Sequence, residues 1–374
     1  MNAPDYVKIR RYLHQHPELS TKEFKTQAFL KKQLENLDCT DVIEIGKTGL
    51  LVHFKGKKEG KTIMLRADID ALPIEEINTF EYASVNKGIS HKCGHDGHAT
   101  IMLAVAEQLV KNPPEKGTVY LLFQPAEENG YGARGVLEDE NFNIKPDKVF
   151  ALHNLPGYKE NEIVCRKGSF TAAAKSVILK LNGKTSHAAE PEKGINPGLA
   201  IARILDLSET LSQKDIDKEN FALITLVHVT MGEKAYGVSA GYGEVHLTLR
   251  TWKNEVMETL VNILINEVNI ICSDYEIKLE TEWLEIFHAN DNDESAYQII
   301  CESAKELDLA FTERSTPFKF GEDFGVFTEK FSGAMFGVGS GEDVPALHNP
   351  DYDFPDEILP DARDMFLKIL EKSL

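Results

Sequence analysis

Several apolar runs of strand length end in residues that carry chemistry, and this pattern constrains the fold more than any other feature of the chain. Thr62 to Arg66 runs into Ala67-Asp68-Ile69-Asp70, Val119 to Phe123 into Gln124-Pro125-Ala126-Glu127-Glu128, and Lys148 to Leu152 into His153-Asn154. Short apolar runs of this kind read as strands buried in a sheet. Between them a helix is expected from about His98 to Lys111, with Ile101, Ala104, Val105 and Leu109 on one face. Strands alternating with covering helices make an α/β core, and open α/β sheets place their ligands at strand ends. Gly49 to Phe54 adds a strand, Ala334 to Val338 a late one, and Asp356 to Leu370 a closing helix with Met365, Phe366, Ile369 and Leu370 inward. Two helices open the chain, Tyr6 to His14 and Lys22 to Leu37, parted by His16 to Ser20, where a proline and a capping serine break the pattern. The charge run Lys55 to Lys61 reads as a solvated hairpin turn.

The middle of the chain has another rhythm. Ser176 to Leu181 reads as a strand, Gly194 to Leu211 as a helix, Phe221 to Val229 and Val238 to Thr251 as strands, Val256 to Ile271 as a helix and Tyr275 to Trp283 as a strand. That β-α-β-β-α-β order is a ferredoxin-like unit able to fold by itself. The expected division is a catalytic domain of residues 1–174 and 284–374, interrupted by an inserted domain of residues 175–283. At 374 residues two domains are the natural number.

The densest chemistry is Ser90-His91-Lys92-Cys93-Gly94-His95-Asp96-Gly97-His98, just before a helix. Cysteine and histidine are the ligands that zinc and its neighbours prefer, and ligands one residue apart converge on one side of an extended loop. Alone, the cluster also fits a structural zinc site, or solvated histidines around a buried cysteine. With Glu127-Glu128, His153 and the late Leu347-His348-Asn349 it supplies Cys, His, Glu, His and His, enough for two metals. In extended backbone, successive side chains point to opposite sides, so one member of Glu127-Glu128 can ligate while the other moves protons.

The run Arg66-Ala67-Asp68-Ile69-Asp70-Ala71-Leu72-Pro73, the Cys93 cluster, Gln124 to Glu128, Ala151-Leu152-His153-Asn154 and Leu347-His348-Asn349-Pro350 occur in the order found in the M20 metallopeptidase superfamily. The chain resembles its amidohydrolase branch, which includes N-acyl-amino-acid, hippurate and auxin-conjugate hydrolases and N-acetyldiaminopimelate deacetylases. The opening Arg10-Arg11-Tyr12-Leu13-His14-Gln15-His16-Pro17-Glu18-Leu19-Ser20 fits the same branch. The resemblance implies a zinc-peptidase-like catalytic domain with a mixed sheet, and a lid or dimerisation role for the inserted domain.

It further implies Cys93, His95, Glu128, His153 and His348 as ligands of two divalent ions per subunit, zinc first, with manganese, nickel or cobalt able to replace it. Glu127 becomes the general base, and Asp70 matches the acidic residue that the family treats as catalytic, orienting a metal ligand or tuning the site. Asp68 stands where the wider superfamily has a histidine ligand, and is placed outside the metal shell. Gly321-Glu322-Asp323-Phe324 resembles the family's late acidic motif, able to hold ligand imidazoles or simply to start a helix. His187, in Gly183 to Ala189, matches the histidine that stabilises the oxyanion, often across a dimer. Arg250 matches the arginine that anchors a substrate carboxylate. Relatives carry an Asn-Val-Ile-Pro-like stretch where this chain has Gly237-Val238-Ser239-Ala240, and Tyr131 replaces part of a glycine-rich run. Both departures point to narrower specificity. The other histidines, His14, His16, His53, His91, His98, His228, His246 and His288, are assigned to packing, capping or solvent, with His91 and His98 near enough to support ligands.

Charge and cysteine content exclude several classes. Acidic residues outnumber basic ones 60 to 41, for a net charge of −19, so nucleic acid is not an expected partner. Five cysteines form no paired framework, which fits a reducing compartment. The Met1 to Arg11 segment is polar and no run reaches the ~18 apolar residues of a membrane span, so a cytoplasmic, membrane-free enzyme is expected. The expected activity is hydrolysis of the amide of a small N-acyl amino acid by a homodimer. The alternatives are a dipeptidase or carboxypeptidase of the same superfamily and a catalytically silent metal-binding scaffold.

Overall fold

The computed structural model describes residues 5–374; the first four residues of the polar Met1 to Arg11 segment lie outside that description. The chain forms two compact units. One runs to Phe170 and resumes over Asn290–Ser315 and Glu322–Leu374, and the other comprises Thr171–Ala289 and Thr316–Gly321.

The first unit opens with α1 (Tyr6–Gln15) and α2 (Phe24–Asn36), then β1 (Val42–Ile45), β2 (Gly49–Lys55) and β3 (Lys58–Asp68). Next come α3 (His95–Lys111), β4 (Lys116–Gln124), the short α4 (Gly132–Glu138), β5 (Lys148–Leu155), β6 (Ile163–Cys165) and β7 (Gly168–Thr171). The second unit holds β8 (Ala173–Asn182), β9 (Ser186–His187), α5 (Gly198–Leu211), β10 (Ala222–Met231), β11 (Val238–Ser239), β12 (Tyr242–Thr251), α6 (Asn254–Asp274) and β13 (Lys278–Phe287). The first unit then adds β14 (Asn290–Asn292), α7 (Glu294–Glu306), β15 (Phe311–Glu313), α8 (Gly325–Thr328), β16 (Gly333–Gly339) and α9 (Leu359–Ser373).

An eight-stranded mixed sheet, ordered β1-β2-β4-β3-β5-β16-β6-β15, carries the first unit. Its centre is parallel: β4 pairs with β3, β3 with β5 and β5 with β16. Parallel strands bring their C-terminal ends to one edge, so Asp68 lies opposite Gln124 and His153 opposite Gly337. Central strands covered by helices are apolar throughout. Leu65, Leu121 and Phe150 are wholly buried, and α3 and α9 pack together over this core through residues such as Met102, Val105, Phe366 and Ile369.

Three local readings need correction. Lys55 to Lys61 is not a hairpin turn, because β4 lies between β2 and β3, and Gly56 N–H donates to Gly117 O on that intervening strand. Ser20 does not cap α2. Glu18 does so, its Oε2 accepting from Lys25 N and Thr26 N at 2.8 Å each. Helix α6, 21 residues long, is long and apolar enough to cross a membrane by length and composition, which the sequence reading missed. Its Met257, Leu260, Leu264, Val268 and Ile271 pack in the core of the second unit.

That second core lies between α5, α6 and one face of an antiparallel sheet ordered β10-β12-β8-β13. In chain order the elements read β-α-β-β-α-β, apart from the small β9–β11 ribbon. Val245, Leu247 and Leu249 point inward while Glu244, His246, Thr248 and Arg250 alternate outward, the period-two signature of a sheet covered on one side.

Candidate metal centre

The C-terminal edge of the parallel strands and the start of α3 gather a dense set of potential ligands. Cys93 Sγ lies 3.5 Å from His153 Nε2, and His153 Nδ1 lies 2.8 Å from Asn154 O, an acceptor that makes Nδ1 the protonated nitrogen and leaves Nε2 a lone pair. His95 is set in the same way. Its Nδ1 faces Asp70 O at 3.0 Å, while Nε2 faces Glu128 Oε1 at 3.8 Å and Glu127 Oε2 at 4.0 Å. His348 Nε2 reaches Glu128 Oε2 at 3.7 Å. Ligand atoms of Cys93, His95 and His153, of Cys93, Glu128 and His348, and of His95, Glu127 and Glu128 each lie within 4.8 Å of one another. The His348 side chain is half exposed, at 51%, whereas the others are at least nine-tenths buried. The structure thus brings together Cys93, His95, Glu127, Glu128, His153, His348 and Asp70.

Unusual backbone places them. Gly94 precedes α3 at φ +95°, where a Cβ would come within 2.4 Å of Asn154 Oδ1, so the turn between Cys93 and His95 requires glycine. Ala126 takes φ +56°, uncommon for a residue with a Cβ, and its N–H donates to Glu23 Oε1 at 2.8 Å. Glu23 is buried and also accepts from Thr48 Oγ1 at 2.7 Å, so a residue of the helical entrance holds the kink that presents Glu127 and Glu128. His348 itself has φ +67°, and its N–H donates to Lys92 O at 2.7 Å, joining its loop to the Cys93 segment.

Electrostatics define what the cluster lacks. Burial, then Glu322 and Glu128, raises the Glu127 carboxyl well above its usual range, and burial with Asp70 pushes Glu128 to about 8 despite His95. Burial opposes charge on His95, but Asp68, the hydrogen bond to Asp70 and Glu128 together lift it to about 10. His153 is held neutral by burial and by His98, as a ligand imidazole must be. Crowded carboxylates that cling to protons mark a negative potential that wants cations. His95 Nε2 and Glu128 Oε1 are buried without a hydrogen-bond partner, and buried polar atoms of this kind need one. Thiolate, imidazole and carboxylate are donors suited to borderline divalent ions, so the residues present fit a metal centre.

A second layer backs the first, and much of it was invisible in sequence. Arg66, wholly buried, donates to Asp68 Oδ2 at 2.5 Å, to Glu322 Oε1 at 2.9 Å and to Asp323 Oδ1 at 2.8 Å. Asp68 spends its other oxygen on His98 Nδ1 at 2.5 Å while standing 3.7 Å from His95 Nε2. Asp68 and His98 therefore stand together beside His95. Asp323 also accepts from Gln124 Nε2 and Ala133 N, tying the acidic motif to the Glu127 loop. The clue to Arg66 was a charged residue inside an otherwise apolar strand. Glu23 and Ser20, whose Oγ donates to Asp70 Oδ2 at 2.7 Å, offered none. His14, assigned to packing, bridges Asp96 at 2.9 Å and Glu76 at 3.0 Å in a buried ionic network with Arg10.

His187 and Arg250 belong to the second unit. His187 lies in the β9–β11 ribbon opposite Val238, and its Nδ1 accepts from Ala189 N at 3.0 Å. Arg250 Nη1 donates to Lys319 O at 2.8 Å, and burial lowers its pKa.

The model of peptidase family M20/M25/M40 matches residues 64–372. The chain belongs to that family. This M20 chain is 34% identical over 347 residues to the N-acetyl-L-cysteine deacetylase of Bacillus subtilis (strain 168), covering 92% of this chain and 82% of that protein. It is 33% identical to the N-acetyldiaminopimelate deacetylase of Streptococcus gordonii, covering 98% of both. Among solved structures it matches the Bacillus subtilis YXEP protein, described as a dinuclear metal binding peptidase from the M20 family, with a TM-score of 0.84 and 28% identity over 99% of this chain and 98% of that one. The resemblance drawn from the motifs holds for the M20 chain as a whole.

Proposed function

We propose that this M20 chain is a metal-dependent amidohydrolase that cleaves the amide of small N-acyl amino acids, with Cys93, His95, Glu128, His153 and His348 holding two divalent ions. The observation that carries the reading is the buried, unpartnered pair His95 Nε2 and Glu128 Oε1 beside a carboxylate, Glu127, of raised proton affinity. Relatives named for deacetylation of N-acetylcysteine and N-acetyldiaminopimelate support the substrate class. Zinc is the first expectation for the ions. Bound there, such ions supply Lewis acidity that polarises a carbonyl and acidifies water.

The chain's own residues do the rest. Glu127 takes a proton from the attacking water and returns it to the leaving nitrogen, a task for which a raised proton affinity equips it. Asp70 fixes the His95 tautomer. His187, whose Nδ1 is an acceptor, keeps its proton on Nε2 and donates there to the oxyanion. Arg250 anchors the substrate carboxylate. The Gly237 to Ala240 stretch pairs directly with the His187 strand, so its lost asparagine and proline narrow recognition beside the oxyanion donor, and Tyr131 narrows the acyl side. The second unit serves as a ferredoxin-like lid and homodimerisation domain: β10 is an edge strand exposing Leu226, Val227 and Met231, side chains an edge-to-edge pairing would cover. A cytoplasmic location completes the reading.

The test is a panel of N-acetyl, N-benzoyl and longer N-acyl amino acids with dipeptides, incubated with metal-reconstituted protein and read by mass spectrometry of the released amines. Amine release from acyl amino acids, abolished in Glu127→Gln with metal content unchanged, is the expected result. Release from dipeptides alone would move the activity to a peptidase.

A further inference from the structure

The outward face of the four-stranded sheet in the second unit carries a ligand set that the hydrolytic reaction does not use. His228 on β10 and His246 on β12 are directly opposed in register, and their rings meet edge to face with centroids 5.1 Å apart. A tetrahedral ion at ~2.1 Å from one nitrogen of each ring places two imidazole centres roughly 5 Å apart, so this spacing is compatible with two rings that share an ion. Glu244, two residues before His246 on the same face, brings Oε2 to 2.8 Å from His246 Nε2. Its other oxygen accepts from the Tyr242 hydroxyl, which orients the carboxylate. These hydrogen bonds from Tyr242 and His246 hold Glu244 below the usual carboxylate range, in the charged form a cation needs.

We propose that His228, His246 and Glu244 form a separate site for a borderline divalent cation, of the zinc, nickel or copper type, on the sheet face opposite α5 and α6. Two imidazoles and a carboxylate are a recurrent zinc donor set that leaves a fourth position open, and imidazole favours these ions over magnesium or calcium. Solvent reaches the site, since His228 is exposed and the His246 and Glu244 side chains keep 27% and 25% of their surface. With the His246 proton on Nδ1, its Nε2 lone pair and Glu244 Oε2 face one point, and the His228 ring lies against that of His246. β12 is a central strand, paired on both sides, which fixes the backbone under two of the three ligands. The three residues are distinct from those assigned to catalysis: they include none of the proposed metal-centre residues of the first unit, nor His187 or Arg250 of the second.

The experiment titrates the full-length, metal-reconstituted protein with Zn²⁺ and counts ions per chain by elemental analysis after equilibrium dialysis against a weak chelator. Wild type is expected to hold one more equivalent than His228→Ala or His246→Ala, with about tenfold or greater weakening of that last equivalent in Glu244→Gln and unchanged hydrolysis in all three. Cu²⁺ added to the same proteins should give an electron paramagnetic resonance spectrum with nitrogen couplings from two imidazoles, reduced to one in either histidine variant. Equal Zn²⁺ stoichiometry in wild type and both histidine variants overturns the proposal, as does a Cu²⁺ spectrum that either substitution leaves unchanged.

Discussion

Asp70 holds His95 by two contacts, Nδ1 to its backbone oxygen at 3.0 Å and to its carboxylate at 3.3 Å, and thereby aims Nε2 at Glu128. The same carboxylate accepts from Ser20 Oγ at 2.7 Å and from Glu128 N at 3.1 Å, so one side chain orients one proposed ligand and positions the backbone of another. Asp70→Asn should weaken metal binding about 10- to 100-fold while leaving the fold intact, measured by competition with a calibrated chelator. Unchanged affinity would remove Asp70 from that role.

Glu23 is the support for a strained turn. With Ala126 at φ +56° and its N–H bonded to Glu23, replacing Glu23 by Ala leaves that buried N–H without its acceptor. The expected cost is about 1–3 kcal/mol of stability, with turnover falling further because Glu127 and Glu128 follow the turn directly. Urea unfolding and kcat of Glu23→Ala, set beside Glu23→Gln, which retains an acceptor, check both parts.

Arg66 is the buried counter-charge of Asp68, Glu322 and Asp323. Arg66→Ala strands three carboxylates in the core, and removal of one partner from such a pair costs about 3–5 kcal/mol. Chemical denaturation should show a loss of that size at neutral pH. A loss under about 1 kcal/mol would mean that the network contributes nothing to folding.

His14 makes stability depend on pH. Burial opposes its charge, but the hydrogen bonds to Asp96 and Glu76 win and raise it from 6.5 to about 9. A raised histidine contributes fully below its unfolded value, near pH 6.5, and loses that contribution as pH rises through about 9. The difference in unfolding free energy between wild type and His14→Gln should therefore be on the order of 3 kcal/mol at pH 6 and shrink by pH 10. A difference that is flat across this range would show that His14 is not charged in the folded protein.

Much of the site was legible because its residues sit at predictable positions: Glu127 and Glu128 just past β4, His153 on β5 near its end, Cys93 and His95 at the start of α3. Periodicity identifies strands and a glycine before a helix identifies a turn, and both are local properties that neighbouring residues set. Sheet order is not local. The Lys55 to Lys61 run looked like a hairpin because β2 and β3 are adjacent in sequence, yet β4 pairs with both. Ser20 and Glu23 looked like ordinary turn and helix-start residues, and only packing of the helical entrance against the strand ends gave them Asp70 and Ala126 as partners.

From the sequence alone came the α/β class, the alternation of the central strands with their helices, the family and the donor set, since each rests on residue types at short, fixed spacings. The tertiary structure decided which strand lies between which, what neutralises Arg66 from 256 residues away, and how negative the cluster becomes. The reason is that a buried charge needs a partner wherever the fold can bring one, and the distance that matters to it is measured through space, not along the chain.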